Sequence, residues 1–188
     1  GMSNLNEIKN AVQILKNKNR KIILLHCNTE YPTPIFDINL NAMQALKKKF
    51  KLEVGYSDHS LGTQVPVIAA SLGAKVIEKH FTISKKMEGP DHAASLNPNE
   101  LISMVKSIRN TETILGKSKK FVSKSEKKNI LIARKSLFAA RDIKKGEKFS
   151  LNNLVCLRPG SGISPMNIDK VCGKKAKKNF SRGNLIKI

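Results

Sequence analysis

The chain has 188 residues and a hydrophobic content of 40%, so it can bury a core as one or two globular domains and is too apolar to be disordered. No run approaches the roughly 18 to 20 apolar residues of a membrane span, and the first residues lack the layout of a secretory signal, so we expect a cytoplasmic protein with no membrane partner. The net charge of +21 attracts anions, but the lysines are spread evenly and accompany no RNA-binding aromatic signature, so we do not expect a nucleic acid partner.

Helical and strand patterns alternate through the first two thirds of the chain. Leu5, Ile8, Val12 and Leu15 recur at helical spacing, for example, and KIILLH follows as a strand. Such alternation predicts parallel βα units, in which ligands bind beyond the carboxyl ends of the strands. In chain order we predict a helix over 4–16, a strand over 21–26, a helix over 40–50, a strand over 52–56, a helix over 64–72, a strand over 75–80 and a helix over 98–115.

The predicted fold class is α/β, a partial TIM (β/α)8 barrel followed by a small β-rich domain. Only about three complete βα units are present, too few to close an eight-stranded barrel, so we interpret residues 1–116 as the second half of one. Residues 117–132 are charged and poorly periodic, which is typical of a linker. Short apolar segments broken by Gly, Pro and Asp over 133–188 predict the β-rich domain, with a short helix over 165–171.

Two histidines follow predicted strands directly: His59 in GYSDHSLG and His80 in VIEKHFTISKKMEGPDHAASL. Imidazole is a common ligand of catalytic divalent metals, and barrel enzymes keep their chemistry at the carboxyl ends of strands. The pair therefore predicts half of an active site. From the spacing alone, two hydrogen-bonded core imidazoles remain the alternative.

Four blocks in the same order give the chain a close resemblance to the sialic acid synthases, which include the N-acetylneuraminate and legionaminate synthases. The blocks are LHCNTEYPTP, GYSDHSLG, EKHFTISKKMEGPDHAASL and LRPGSGISP, and the last lies in what resembles the antifreeze-like SAF domain of these enzymes. The resemblance implies a metal-dependent condensation of phosphoenolpyruvate with an N-acylated mannosamine-type sugar. The products are a nine-carbon 2-keto acid and phosphate.

The resemblance also implies roles for individual residues. His59 and His80 match the catalytic metal ligands, with manganese or magnesium as the ion, and Asp91 matches a catalytic carboxylate that contacts the sugar hydroxyls. Arg158 matches an arginine that contacts the N-acyl group across a domain-swapped homodimer. Thr29, Tyr31 and Ser57 match phosphoenolpyruvate contacts.

Several alternatives remain open at this stage. Tyr31, Ser57 and Asp91 can equally serve turns, and Arg158 can be a surface residue without a ligand. The acceptor can be N-acetylmannosamine or a diacetamido-trideoxyhexose. Because the upstream residues that such enzymes use are not in this sequence, we expect a fragment, and its activity alone stays open. A noncatalytic, polyanion-binding protein on the same scaffold is the alternative from another class.

Overall fold

The computed structural model describes residues 1–16 and 21–188, which divide into the units Gly1–Lys117 and Ser118–Ile188. The sequence predicts a barrel part over 1–116, a linker over 117–132 and a β-rich domain over 133–188. Each unit has its own cluster of buried apolar side chains. Across the described residues, no helix combines the length and apolar composition that crossing a membrane requires.

A parallel three-stranded sheet, in which strands that are consecutive along the chain lie next to each other, forms the centre of the first unit. Helices alternate with these strands along the chain, as the hydrophobic periodicity predicts. The elements are α1 (Leu5–Lys16), β1 (Ile23–Cys27), α2 (Asn41–Phe50), β2 (Glu53–Asp58), α3 (Gln64–Ser71), β3 (Ile77–Lys79) and α4 (Pro98–Leu115).

Local side-chain chemistry sets the ends of two of these helices. The Asn4 side chain accepts hydrogen bonds from the backbone N–H groups of Asn6 and Glu7, so Asn4 caps α1. At the start of α4, Asn97 and Glu100 form a reciprocal capping box with Pro98 in the first turn. These caps explain why both helices begin within a residue of the predicted positions.

One face of the sheet packs against the helices. Val54 and Tyr56 of β2 are buried in one cluster with Met43 and Leu46 of α2 and Ala69 of α3. Side chains alternate along a strand, so the neighbouring positions of β2 point to the opposite face. The candidate site residues described below lie at the carboxyl ends of these strands.

The second unit is small and β-rich. The predicted linker contains two short helices, α5 (Lys124–Lys127) and α6 (Ile130–Ala133). Strands β4 (Ser136–Ala139) and β5 (Leu154–Leu157) pair antiparallel, and isolated bridges add Leu185 and Phe180. The predicted helix over 165–171 is present as a 3-10 turn, Pro165–Asn167, followed by α7 (Ile168–Val171). Together with the parallel sheet, this confirms the predicted fold class of a partial α/β barrel with a small β-rich domain.

Candidate metal and substrate site

His59 and His80 leave neighbouring strands at the same level. The parallel ladder of β2 and β3 ends with the pair Asp58 and Lys79, and the two histidines are the next residue on each chain. Their ring centroids lie 5.3 Å apart with an interplanar angle of 72°. The strand register therefore brings together two imidazoles that are 21 positions apart in the sequence.

Hydrogen bonding defines which nitrogen of His59 is available to a ligand. Nδ1 of His59 lies 2.5 Å from the carbonyl oxygen of Asn28, which can only accept a hydrogen bond, so Nδ1 carries the proton. Nε2 then holds the lone pair, and it lies 3.0 Å from the hydroxyl of Tyr31, which donates to it. A backbone carbonyl on one ring nitrogen is the usual arrangement for a histidine whose other nitrogen binds a metal.

Tyr31 lies against both histidine rings. Its ring stacks on the ring of His59 at a centroid distance of 4.0 Å and meets the ring of His80 edge-on at 5.3 Å. Desolvation, followed by the charges of Cys27, Asp91 and Glu78, raises the pKa of the Tyr31 hydroxyl above its usual value. Tyr31 therefore stays protonated at neutral pH and acts as a hydrogen-bond donor at this position.

The two imidazoles fit a shared divalent ion. Both rings are partly exposed, and a centroid separation of 5.3 Å allows two nitrogens to converge on an ion bound at about 2.1 Å. Within residues 1–16 and 21–188, no group of three or more His, Cys, Asp and Glu side chains could hold a metal by itself. An ion bound by His59 and His80 would therefore keep positions open for water and substrate, as catalytic sites require.

Asp91 approaches the pair from the loop that follows β3. One of its carboxylate oxygens lies 3.8 Å from Nδ1 of His80, and the side chain is 53% exposed. The loop is fastened where Ser95 donates to the Asp91 carbonyl and where Thr82 bonds to Nδ1 of His92 at 2.8 Å. His92 thus supports the loop, while the Asp91 carboxylate stays accessible beside the histidines.

A small pocket at the strand ends contains residues that the sequence did not single out. It has a volume of about 250 Å³. Glu78 accepts a hydrogen bond of 2.7 Å from the Ser57 hydroxyl. These two residues are paired in the sheet one position before the pair Asp58 and Lys79. The sequence signal for Glu78 was available, because the triplets Ser-Asp-His and Glu-Lys-His align at this register. The pocket is lined by Ser57, His59, Glu78, Lys79 and His80.

The remaining predicted residues lie elsewhere. Thr29 is exposed on the loop after β1. Arg158 belongs to the second unit, where its Nε donates a 3.0 Å hydrogen bond to the carbonyl of Ala133. The structure thus brings together Tyr31, Ser57, His59, His80 and Asp91.

Family models match both parts of the chain. The model described as the NeuB family matches residues 1–120. The chain belongs to the NeuB family. A second model, the SAF domain, matches residues 134–188 of this NeuB-family chain.

Several curated relatives of this NeuB-family chain are named as synthases. The N,N'-diacetyllegionaminic acid synthase of Campylobacter jejuni is 53% identical over 100% of this chain and 57% of its own length. The human N-acetylneuraminate-9-phosphate synthase is 35% identical over 93% of this chain and 49% of its own length. The chain therefore spans about half the length of the curated relatives it matches.

A solved structure matches the NeuB-family chain as well. The N-acetylneuraminic acid synthetase from Leptospira borgpetersenii superposes with a TM-score of 0.63 at 41% identity. The match covers 69% of this chain and 46% of that one. A putative spore coat polysaccharide biosynthesis protein E from Chromobacterium violaceum gives a TM-score of 0.72 at 22% identity over 99% of this chain and 57% of its own, which shows a shared fold.

Proposed function

We propose that this chain carries the metal-binding and sugar-binding part of a sialic-acid-type synthase. In this reaction phosphoenolpyruvate condenses with an N-acylated amino sugar to give a nine-carbon 2-keto acid and phosphate. The observation that carries the proposal is the His59 and His80 pair, which the strand register holds with ring centroids 5.3 Å apart. The names of the curated relatives support the same reaction class.

His59 and His80 are the proposed ligands of a divalent ion, with manganese as the first choice and magnesium as the alternative. A bound ion would supply a Lewis acid for the aldehyde oxygen of the acceptor sugar. His59 offers Nε2 because its Nδ1 proton is held by the Asn28 carbonyl. Asp91, which lies beside His80 and remains half exposed, accepts hydrogen bonds from the sugar hydroxyls in this proposal.

The hydroxyls of the proposed phosphoenolpyruvate contacts differ in their hydrogen bonds and in their exposure. Tyr31 is a protonated donor next to both histidines, but its hydroxyl donates to Nε2 of His59 and must leave that nitrogen before it can bind phosphoenolpyruvate. The Ser57 hydroxyl donates to Glu78, so it must rotate away before it can donate to a phosphate or carboxylate oxygen. Thr29 lies exposed on the loop after β1, so its side chain is accessible to a ligand.

Arg158 is the proposed contact to the N-acyl group, in a domain-swapped homodimer. Its one described hydrogen bond uses Nε, which fixes the planar guanidinium while the exposed terminal nitrogens can bind an amide oxygen. Between the two acceptors, we infer the diacetamido sugar. Relatives named N,N'-diacetyllegionaminic acid synthase match at 53% and 42% identity.

A metal titration tests the central assignment. The purified chain is stripped of metal by dialysis and titrated with MnCl2, and the signal of free Mn²⁺ is followed by electron paramagnetic resonance. We expect one bound ion per chain and loss of binding in both His59→Ala and His80→Ala. The matched control is His92→Ala, because His92 bonds to Thr82 in the loop and should leave binding unchanged. Retained binding in both site variants would refute the metal assignment.

The acceptor is tested separately by ligand-observed NMR with the chain loaded with diamagnetic Mg²⁺. We expect saturation transfer to the diacetamido-trideoxyhexose to exceed that to N-acetylmannosamine, and to weaken in Asp91→Asn. A stronger signal from N-acetylmannosamine would reverse the choice of acceptor and leave the reaction class standing.

A further inference from the structure

A buried ion pair joins the ends of β2 and β3 one residue before each histidine. The ammonium group of Lys79 lies 2.6 Å from a carboxylate oxygen of Asp58, and the two side chains are only 4% and 0% exposed. The same ammonium also donates to the carbonyl of Ser60. The other carboxylate oxygen of Asp58 accepts from the Ser60 N–H at 3.0 Å and from its hydroxyl at 2.7 Å. Both charged groups thus have hydrogen-bond partners within the protein.

Stability alone is a weak reason for such a pair. Removing two charges from water costs a large part of their attraction, and well-packed apolar residues of similar volume often stabilise a core at least as well. A buried pair is better suited to fixing the relative position of the segments that carry it. Here those segments are the two that end in the proposed metal ligands.

The contacts of Lys79 act directly on the position of His59. Its ammonium binds Asp58 and Ser60, the residues on either side of His59, and Lys79 itself precedes His80. Strand β3 has only three residues, so few backbone hydrogen bonds hold its end against β2. The side-chain pair therefore supplies much of the restraint at the level where the chains leave the sheet.

The charged groups of the ion pair are buried and bonded to each other, although Lys79 also lines the small pocket. Side chains alternate along β2, so Asp58 shares the helix-facing side with the buried Val54 and Tyr56. Ser57 and Glu78, which are hydrogen-bonded to each other, share the other side with the pocket. Asp58 and Lys79 consequently do not need to touch an ion or a substrate in order to influence the histidines.

We propose that Lys79 and Asp58 are positioning residues that hold His59 and His80 at the separation needed to share one ion. The functional consequence rests on the proposed metal site, whereas the positioning itself is a property of the chain without metal. Neither residue is assigned to ligand binding. Their effect passes through the backbone of the two strand ends.

The experiment removes the ion pair without leaving a single buried charge. In the double variant Asp58→Asn/Lys79→Met, both charges are lost, and the amide oxygen introduced at position 58 can still accept from Ser60. The matched control is Lys85→Met, which breaks a partly exposed ion pair with Glu100 in the same unit. There are two readouts. NOE cross-peaks between the ring protons of His59 and His80 are measured on the metal-free chain, and the Kd for Mn²⁺ is measured by titration. Circular dichroism checks folding.

We expect the double variant to fold, to lose or weaken the cross-peaks, and to bind Mn²⁺ about tenfold or more weakly, as supporting residues around metal ligands do. The Lys85→Met control should match the unaltered chain in both readouts. Unchanged cross-peaks and Kd in the folded double variant would overturn the positioning role.

Two further outcomes are separable. If the double variant fails to fold, Lys79→Arg keeps the charge and changes the reach of the side chain, so altered cross-peaks support the proposal and unaltered ones refute it. If the unaltered chain binds no Mn²⁺, the proposed function fails, while the cross-peaks in metal-free protein still decide the role of Lys79.

Discussion

The ring of Tyr31 stacks on the imidazole of His59, with the ring planes inclined by 29° and the hydroxyl 3.0 Å from Nε2. Because Nδ1 of His59 donates its hydrogen bond to the Asn28 carbonyl, the Tyr31 hydroxyl occupies the Nε2 lone pair that we propose for the ion. The tyrosine and the ion would therefore compete for one nitrogen.

Removing that hydroxyl should strengthen metal binding. A net hydrogen bond contributes about 1 kcal/mol, so Tyr31→Phe should lower the Kd for Mn²⁺ about fivefold. Paramagnetic resonance on the titrated chain measures the change. The control Tyr31→Ala also removes the stacked ring and should not show the same gain. A higher Kd in Tyr31→Phe would mean that the hydroxyl assists the ion.

A glycine in β2 permits the close approach of β3. A Cβ atom at Gly55 would lie 2.5 Å from the carbonyl oxygen of Val76, which is backbone and cannot rotate away. We expect Gly55→Ala to lower the free energy of unfolding by about 1–3 kcal/mol through overpacking. Urea denaturation measures the loss.

A second glycine provides the comparison. At Gly162 the added Cβ would also meet an atom at 2.5 Å, but that atom belongs to the Leu185 side chain, which can change rotamer. Gly162→Ala should therefore cost less than Gly55→Ala. Equal losses in the two variants would contradict the argument from the rigid backbone contact.

Much of the fold could be predicted from the sequence, because hydrophobic periodicity and capping residues depend only on neighbouring positions in the chain. Helix α4 has the predicted bounds, and its Asn97 cap and Pro98 are visible in the sequence. The helix over 124–127 was missed, although Ser123 and Glu126 form a capping box of recognisable spacing. It has only four residues, and its surroundings are dominated by lysine.

The site was predictable only in part because its side chains depend on register. His59 and His80 could be selected from residue type and strand ends. Lys79 could not, because a lysine next to a strand end is ordinarily a solvated residue, and its buried partner Asp58 is identified only when β2 and β3 are aligned. In the structure the Asp58 carboxylate contacts Lys79 and Ser60.

A buried tyrosine in β2 offers a stabilising substitution. The Tyr56 hydroxyl is fully buried and has no hydrogen-bond partner among the described residues. Tyr56→Phe removes this unpaired group and should raise the free energy of unfolding by about 1 kcal/mol at neutral pH. Chemical denaturation tests this, and a loss of stability would show that the hydroxyl has a partner after all.

The same residue predicts a pH dependence. Burial, followed by the charges of Asp58 and Cys27, raises the pKa of the Tyr56 hydroxyl above its ordinary value of 10.0. The unfolded chain therefore releases this proton first, so this group leaves the free energy of unfolding independent of pH below pH 10.0 and lowers it as the pH rises further. Above that pH, the free energy of unfolding should fall less steeply with pH for Tyr56→Phe than for the unaltered chain, which denaturation curves at a series of pH values measure.

A buried serine in the second unit fastens the segment that follows Arg158. The Ser136 hydroxyl donates to the carbonyl of Pro159 and accepts from the N–H of Gly162, both at 2.8 Å. Ser136→Ala would leave both backbone groups without this partner, at a cost of about 1–3 kcal/mol in the free energy of unfolding. Amide exchange at Gly162 should accelerate more than exchange in β4.

The matched control is Ser181→Ala, because Ser181 is exposed in the same unit and its backbone N–H, not its hydroxyl, makes the described hydrogen bond. This control should leave both stability and exchange unchanged. If Ser136→Ala destabilises the unit while exchange at Gly162 stays slow, the segment is held by other contacts. If exchange accelerates as expected, the Ser136 hydroxyl holds the segment that follows Arg158, and the acceptor binding that we propose for Arg158 should weaken in the same variant.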